Sequence, residues 1–410
     1  MIHTLLFFSR IGRRRRIGRR RRIGRRRQGA AWLLAAVGIG LSGCGSDSAE
    51  LRKLQSRQQA KRQAATEVDH LRRASALIAE LDNLDAESAA DQINYHLNAW
   101  RQTAARDAAW EPTPLLQTWT SVMRPSEADA AVRQVRFQPT DLDFFQVNYL
   151  LRQVTEWTQE KALTDPLIPR RLAAEADQLT DRGQRQLQLA SRLFDWAVRN
   201  IRLEPAAPSE NLPPAPELPA RMVFQGAGYR QTTFQTLWRG TGDWLQRADV
   251  FLQLCRHAGL EACLLAQPAS ESEPPREWMA AVLIDGKLFL FAPQFGIPVP
   301  GPGEEGIATL QEARQDESVL RRLRVPGVFD YPLDRNDIQQ LVALLDATPE
   351  MLSERMEGLE QALTGEHRMR LSLAADAIAE RLDAIPGIVG VWLWQIPVLS
   401  QQYAQALQKR

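Results

Sequence analysis

Residues Trp238–Ala266, WRGTGDWLQRADVFLQLCRHAGLEACLLA, decide the fold of this chain. The inward run Val250-Phe251-Leu252-x-Leu254-Cys255 predicts a buried helix, and Gly259 supplies the usual left-handed stop. A short apolar strand follows. Next, Glu277–Pro293, EWMAAVLIDGKLFLFAP, predicts two strands joined at Asp285-Gly286, a strong hairpin signal between apolar flanks. Within the helix, residues two apart point to different sides, so His257 is not placed to take a proton from Cys255. Cys255 reads as a small buried hydrophobe, and His257 as a solvated residue before the helix stop.

The pattern resembles the transglutaminase-like superfamily, in which a Gly-x-Cys turn opens a buried helix and small or basic residues recur at fixed distances. Here those places hold Gly242, Ala248, Arg256, Gly259 and Ala262, and the Cys place holds Trp244. The resemblance covers about Leu189 to Pro293 and implies a papain-like α+β core. It also implies a thiol activated by the helix N-terminus, a His on the following strand and an Asp before the Pro that ends the hairpin. Counting along this chain puts Glu277 in the His place and Ala292 in the Asp place. The five histidines, at 3, 70, 96, 257 and 367, all lie away from the hairpin, so the loss of the Cys-His-Asp set survives a slip of register. Trp offers only an indole N–H and cannot attack a carbonyl.

Composition frames this reading. With 44% hydrophobic and 24% charged residues in 410, the chain is long and apolar enough for one sizeable core or several modest ones, which excludes a disordered protein. Residues 1–43 hold twelve arginines and no acid, so the formal charge of +2 for the whole chain becomes −10 for the remainder. A protein that acidic is not expected to bind nucleic acid. The arginines form the repeat IGRRRR-IGRRRR-IGRRR from Ile11 to Arg27, which alone would suggest an arm for nucleic acid or anionic lipid. The apolar run Ala30–Gly40 and Leu41-Ser42-Gly43-Cys44 follow, and together they resemble a lipoprotein secretion signal. An uncleaved N-terminal anchor is the competing reading. The resemblance implies cleavage before Cys44 and acylation of its sulfur, with residues 44–50 as a tether. Several acyl chains, at ~0.8 kcal/mol per buried methylene, would hold the protein on a membrane, in the cell envelope and facing away from the cytoplasm. Cys255 and Cys263 would then lie outside the cytoplasm, as a disulfide or as two buried thiols.

The expected organisation is a signal peptide over 1–43, the tether, a helical region over 51–185, a degenerate transglutaminase-like domain over 186–300 and a C-terminal helical and strand-helix-strand module over 301–410. Between Leu51 and Trp110, Val68, Leu71, Leu77, Leu81 and Leu84 recur at helical spacing, which predicts a stalk or a helical hairpin packed on the next domain. Pro112, Pro114 and Pro125 break the helices, and Phe144 to Trp157 forms another. Gln186–Arg202 carries the stripe Leu189, Leu193, Phe194, Ala197 and Ile201. Two polar loops, Glu204–Ala220 with six prolines and Gln267–Arg276, would border the groove. A helix is expected to start at Thr348-Pro349-Glu350, with Leu352, Met356, Leu359 and Leu363 on one face and Gly365 at its end. The last unit reads as a strand over Arg368–Leu373, a helix over Ala374–Ala384 and a strand over Ile388–Ile396. On that last strand Trp392 and Trp394 share a side, either as a stacking platform or as cover for a helix.

The expected function is a membrane-anchored lipoprotein whose inactive transglutaminase-like domain binds a peptide or envelope component, with Trp244 filling the nucleophile pocket or plugging the core. The alternatives are a hydrolase in which Glu277 acts as base beside Asp243 or Asp249, and an envelope assembly scaffold. No metal-ligand cluster, phosphate loop or oxyanion donor appears in the sequence, so neither a metal nor a cofactor is expected.

Overall fold

A computed structural model of the chain describes residues 69–80, 86–104, 109–120, 122–160, 172–173, 179–204, 231–268, 275–325, 327, 331 and 333–408. Cys44 with its lipobox, the arginine repeat, the tether, Val68, Leu81, Leu84, the proline-rich stretch after Glu204 and residues 269–274 lie outside the described residues. From His70 onward the chain is one mixed α+β unit of N-terminal helices and a six-stranded mixed sheet. Among the described residues no helix is long and apolar enough to cross a membrane.

Helices α1 (His70–Ala79) and α2 (Ala86–Thr103) pack against each other, and Leu71 and Leu77 cover a core holding Ile93, Leu97 and Phe145. Prolines begin the next elements rather than only ending earlier ones. Pro114 opens a 3-10 turn to Trp119, and Pro125 is the first residue of α3 (Pro125–Val132), where an absent N–H leaves no helical bond unmade. In α4 (Asp141–Glu160), Phe144, Phe145, Leu151 and Val154 are buried. In α5 (Asp181–Asn200), Leu187, Ala190, Leu193, Phe194 and Ala197 form the inward stripe.

Strand β1 (Arg202–Leu203) pairs in parallel with β2 (Thr241–Gly242), and α6 (Thr233–Arg239) precedes β2. The buried helix expected from the sequence is α7 (Trp244–His257). Gly259 ends it at φ +72°, with the Leu260 N–H returning to the Cys255 carbonyl at 2.9 Å. Strands β3 (Glu261–Gln267), β4 (Arg276–Ile284) and β5 (Lys287–Ala292) follow, and β4 and β5 join at Asp285 and Gly286, both with positive φ, as a type I′ turn requires. The Asp285 carboxylate also accepts the Thr180 N–H and hydroxyl at 2.8 Å, which fixes the hairpin tip against the start of α5.

After β6 (Ile297–Pro298), helices α8 (Leu310–Gln315) and α9 (Glu317–Arg321) lead to β7 (Leu341–Leu345). Helices α10 (Glu354–Ala362) and α11 (Ala375–Asp383) precede β8 (Ile388–Leu393), and α12 (Gln395–Gln408) is the last described element. The sheet order is β6-β5-β4-β3-β7-β8, antiparallel except for the parallel β7–β8 pair. Both faces are covered, and alternate residues divide between them. Cys263, Leu265, Leu288, Leu290, Ala292, Ala343 and Leu345 enter one core. Leu264, Ala266, Phe289, Phe291, Val342 and Leu344 enter the other, which also takes Phe251 and Cys255 of α7.

Several expectations for the C-terminal part are corrected. Strands from both sides of the expected boundary at 300/301 share one sheet, because β7 pairs directly with β3. The helix expected from Pro349 begins at Glu354, after turns in which the Ser353 N–H and hydroxyl both go to the Glu350 carbonyl. Arg368–Leu373 is not a strand. Its amides are consumed elsewhere: the Glu360 carboxylate accepts from Leu371 at 2.7 Å and Ser372 at 2.8 Å, and the Leu373 N–H goes to the Met351 carbonyl. The last strand stops at Leu393, and α12 begins where the strand was expected to continue. Trp392 and the buried Trp394 both pack on the α7 side, as cover for the core.

Candidate functional site

Helix α7 organises both regions that could carry function. Its sequence Asp243-Trp-Leu-Gln246 forms a reciprocal cap. The Asp243 carboxylate accepts the Gln246 N–H, and the Gln246 side-chain oxygen accepts the Asp243 N–H, each at 2.9 Å. The positive end of the helix dipole is therefore already met by a carboxylate, and Trp244, the first helical residue, is partly buried against the α7-side core. Arg247, one turn in, is a buried cation that the sequence reading missed. Its guanidinium donates to the Ile201 carbonyl at 3.0 and 2.5 Å and to the Pro293 carbonyl at 2.9 Å, and burial pushes its pKa down. It ties the end of α5 and the end of β5 to the first turn of α7.

The other family positions do not gather around Trp244 as a reactive set. Glu277, partly buried on β4, accepts the indole N–H of Trp394 at 3.3 Å. Ala292 is buried in the core on the sheet face away from α7. Cys255 and Cys263 are free thiols, both buried, and burial pushes Cys255 up strongly and Cys263 to about 12, so neither is a ready nucleophile. His257 is not a solvated residue. It is partly buried against α4, with Nε2 3.0 Å from Asn148 Oδ1, and desolvation together with Arg256, Arg370 and Arg152 holds its pKa well below the usual value.

A second region lies along another stripe of α7. Gln246, Asp249 and Gln253, three and four residues apart, face a cavity of about 330 Å³. Asp143 and Asn148 of α4, Thr233 at the start of α6, Thr348, Glu350 and Met351 after β7, and Ser400 of α12 are also in its wall. Behind Asp249 lies Asp346, the residue after β7, and the two buried carboxyls are near enough to act on each other's protonation. Asp249 Oδ2 accepts from the Thr233 hydroxyl at 2.8 Å, and Asp346 Oδ2 accepts from Gln253 Nε2 at 2.8 Å. Among the described residues neither Oδ1 atom has a hydrogen-bond donor, and two neighbouring carboxyls in this setting are favoured with a proton between them. Desolvation raises Asp249 to about 6, and desolvation plus the Asp249 charge raises Asp346 well above the usual range. Arg256 acts on both carboxyls, while its own N–H groups go to Gln253, the Arg370 carbonyl and Asn148.

Of the two acids the sequence named beside Glu277, Asp243 thus serves as a helix cap and Asp249 belongs to this pair. Asp346 could not have been singled out beforehand, since only the fold sets it beside α7. Among the described residues no group of three or more His, Cys, Asp or Glu could hold a metal ion. Compared with known proteins, the chain matches no family model, no curated protein and no solved structure.

Proposed function

We propose that the chain is a lipoprotein anchored through Cys44 to an envelope membrane, facing away from the cytoplasm, with a catalytically inactive transglutaminase-like domain that binds a peptide or another envelope component. The observation that carries this reading is the start of α7. The first helical turn, where that superfamily keeps its thiol, holds Trp244, and Asp243 already occupies the dipole end that would activate a nucleophile. The papain-like core is supported by the order of helix α7, strand β3 and hairpin β4–β5, with α7 packed on β3. The loss of the other two groups agrees with it, since Glu277 is engaged by an indole and Ala292 lacks a functional group. A hydrolase using Glu277 is less well supported, because Asp249 is committed to Asp346.

Anchoring is tested by feeding an alkynyl fatty acid to producing cells and comparing the wild type with Cys44→Ser. Label and membrane retention should disappear together in the variant, and an unlabelled wild-type protein overturns the anchor. Inactivity is tested by assaying amide hydrolysis and acyl transfer on the same preparation. Turnover that Glu277→Gln abolishes overturns it.

A further inference from the structure

We propose that the cavity beside α7 is a binding site for a small primary amine bearing a hydroxyl or carbonyl group, whose ammonium takes the place of the proton shared by Asp249 and Asp346. The inference stands on the cavity and its wall, and it is independent of the transglutaminase-like reading. Among the described residues three acids, Asp143, Asp249 and Glu350, line the cavity, and no Lys, Arg or His does. Such a wall repels anions and suits a cation. The volume, about 330 Å³, falls in the lower part of the roughly 300–1,000 Å³ range of small-molecule sites. Phe144, Val147 and Met351 offer apolar surface for a short methylene chain.

Unpartnered polar groups in the same wall point to a ligand independently of the charge. Gln231 and Thr348 are 4% and 7% exposed, and among the described residues Gln231 Oε1 and Thr348 Oγ1 have no hydrogen-bond partner. Gln246, 4% exposed, has its Nε2 unpartnered among the described residues. The amide orientations are fixed by the network: Gln231 Nε2 donates to the Thr241 carbonyl and to Gln246 Oε1, and Gln246 Oε1 also accepts the Asp243 N–H. Buried polar atoms are nearly always satisfied, so three unmet groups on one cavity wall describe what its occupant carries. Two acceptors suit ammonium N–H groups, and the lone donor suits a ligand hydroxyl or carbonyl.

The charge balance gives the ammonium its role. Arg256 is the cation acting on both carboxyls, while Arg370 is paired with Glu360 at 2.9 Å. One cation neutralises one carboxylate, so the second carboxyl keeps a proton while the cavity lacks another positive charge. An ammonium supplies that charge, and one proton leaves to solvent for each amine bound. The other titratable and charged groups facing the pair or the cavity are Arg256, Glu360, Arg370, Asp143, Glu350 and His257; desolvation raises Asp143, hydrogen bonds from Ser372 and Arg370 lower Glu360 against its own desolvation, and desolvation holds His257 well below its usual value.

The test is titration calorimetry of the full-length chain in detergent with aminobutanol, with butanediol as its uncharged analogue, in two buffers of different ionisation heat. Aminobutanol should bind saturably with release of about one proton, and its affinity should rise between about pH 5 and about pH 8. Butanediol should not bind. Asp249→Asn should weaken the amine by about tenfold or more, and Asp346→Asn, which leaves Asp249 in the cavity wall, should abolish the proton release. A blocked glycyl-lysyl-glycine peptide separates the two sources of the amine: tighter binding than aminobutanol assigns the site to a peptide side chain, and weaker binding assigns it to a free amine. Equal binding of the diol, amine binding unchanged by both variants, or no binding by protein that shows a cooperative melting transition overturns the proposal. Fatty-acid labelling at Cys44 and turnover read the proposed function separately, so each can fail alone.

Discussion

The indole N–H of Trp394 donates to Glu277 Oε1 at 3.3 Å, joining the residue after β8 to the beginning of β4, with two strands, β3 and β7, between them in the sheet. The carboxylate thus serves as an acceptor for a core tryptophan. Glu277→Gln keeps an acceptor oxygen there and should change stability by less than about 0.5 kcal/mol. Glu277→Ala leaves a buried indole N–H unmet and should cost roughly 1–3 kcal/mol. Urea denaturation of the two variants decides the matter, and equal losses would mean that the hydrogen bond contributes nothing.

The Asp249–Asp346 pair should give an unusual pH dependence. Both carboxyls have folded-state pKa values raised above the ordinary value of 3.8, Asp249 to about 6 and Asp346 well above it. The unfolded chain therefore releases these protons first as pH rises. The pair's contribution is most favourable below the unfolded pKa and declines as pH rises through about 4 to 6 and beyond. Asp346→Asn replaces the shared O–H with an N–H donor that does not titrate. Moving from about pH 5 to about pH 8 should lower the melting temperature of the wild type more than that of the variant. Parallel pH profiles would show that no proton is shared.

Arg355 of α10 and Asp141 at the start of α4 form an ion pair at 2.8 Å, with side chains only 5% and 2% exposed. Desolvation raises Asp141, and Arg355 opposes that rise, so each charge depends on the other. Arg355→Met should cost roughly 3–5 kcal/mol, because Asp141 is left buried without its cation. Adding Asp141→Leu should recover most of that loss. A double-mutant cycle by chemical denaturation measures the coupling, and additive losses would contradict it.

These relationships differ in how far the sequence discloses them. Helix α7 and the β4–β5 hairpin were legible because their signals are local: an inward apolar run, Gly259, and Asp285-Gly286 between alternating strands. Strand β7 was not. Leu341-Val-Ala-Leu-Leu345 is buried on both faces, and a short continuous apolar run has no period to separate strand from helix. The cavity was hidden for a related reason. Gln253 and Asp346 are 93 residues apart and meet only because β7 pairs with β3, beside α7. Nothing local marks Arg247 as buried; only the fold brings the carbonyls of Ile201 and Pro293 to its guanidinium.

The same sheet settles the open question about the cysteines and gives a final prediction. Cys255 projects from α7 into one core, whereas Cys263 alternates with Leu264 and enters the core on the opposite face. A disulfide would have to pass through the sheet, so both remain thiols, held protonated by burial. Neither should react with a maleimide at neutral pH while the protein is folded, and both should react fully in guanidinium. Peptide mapping by mass spectrometry separates them from Cys44. Rapid native labelling of Cys263 alone would show that β3 opens locally, and recovery of a Cys255–Cys263 disulfide from protein never unfolded would contradict the placement of these two residues on opposite faces.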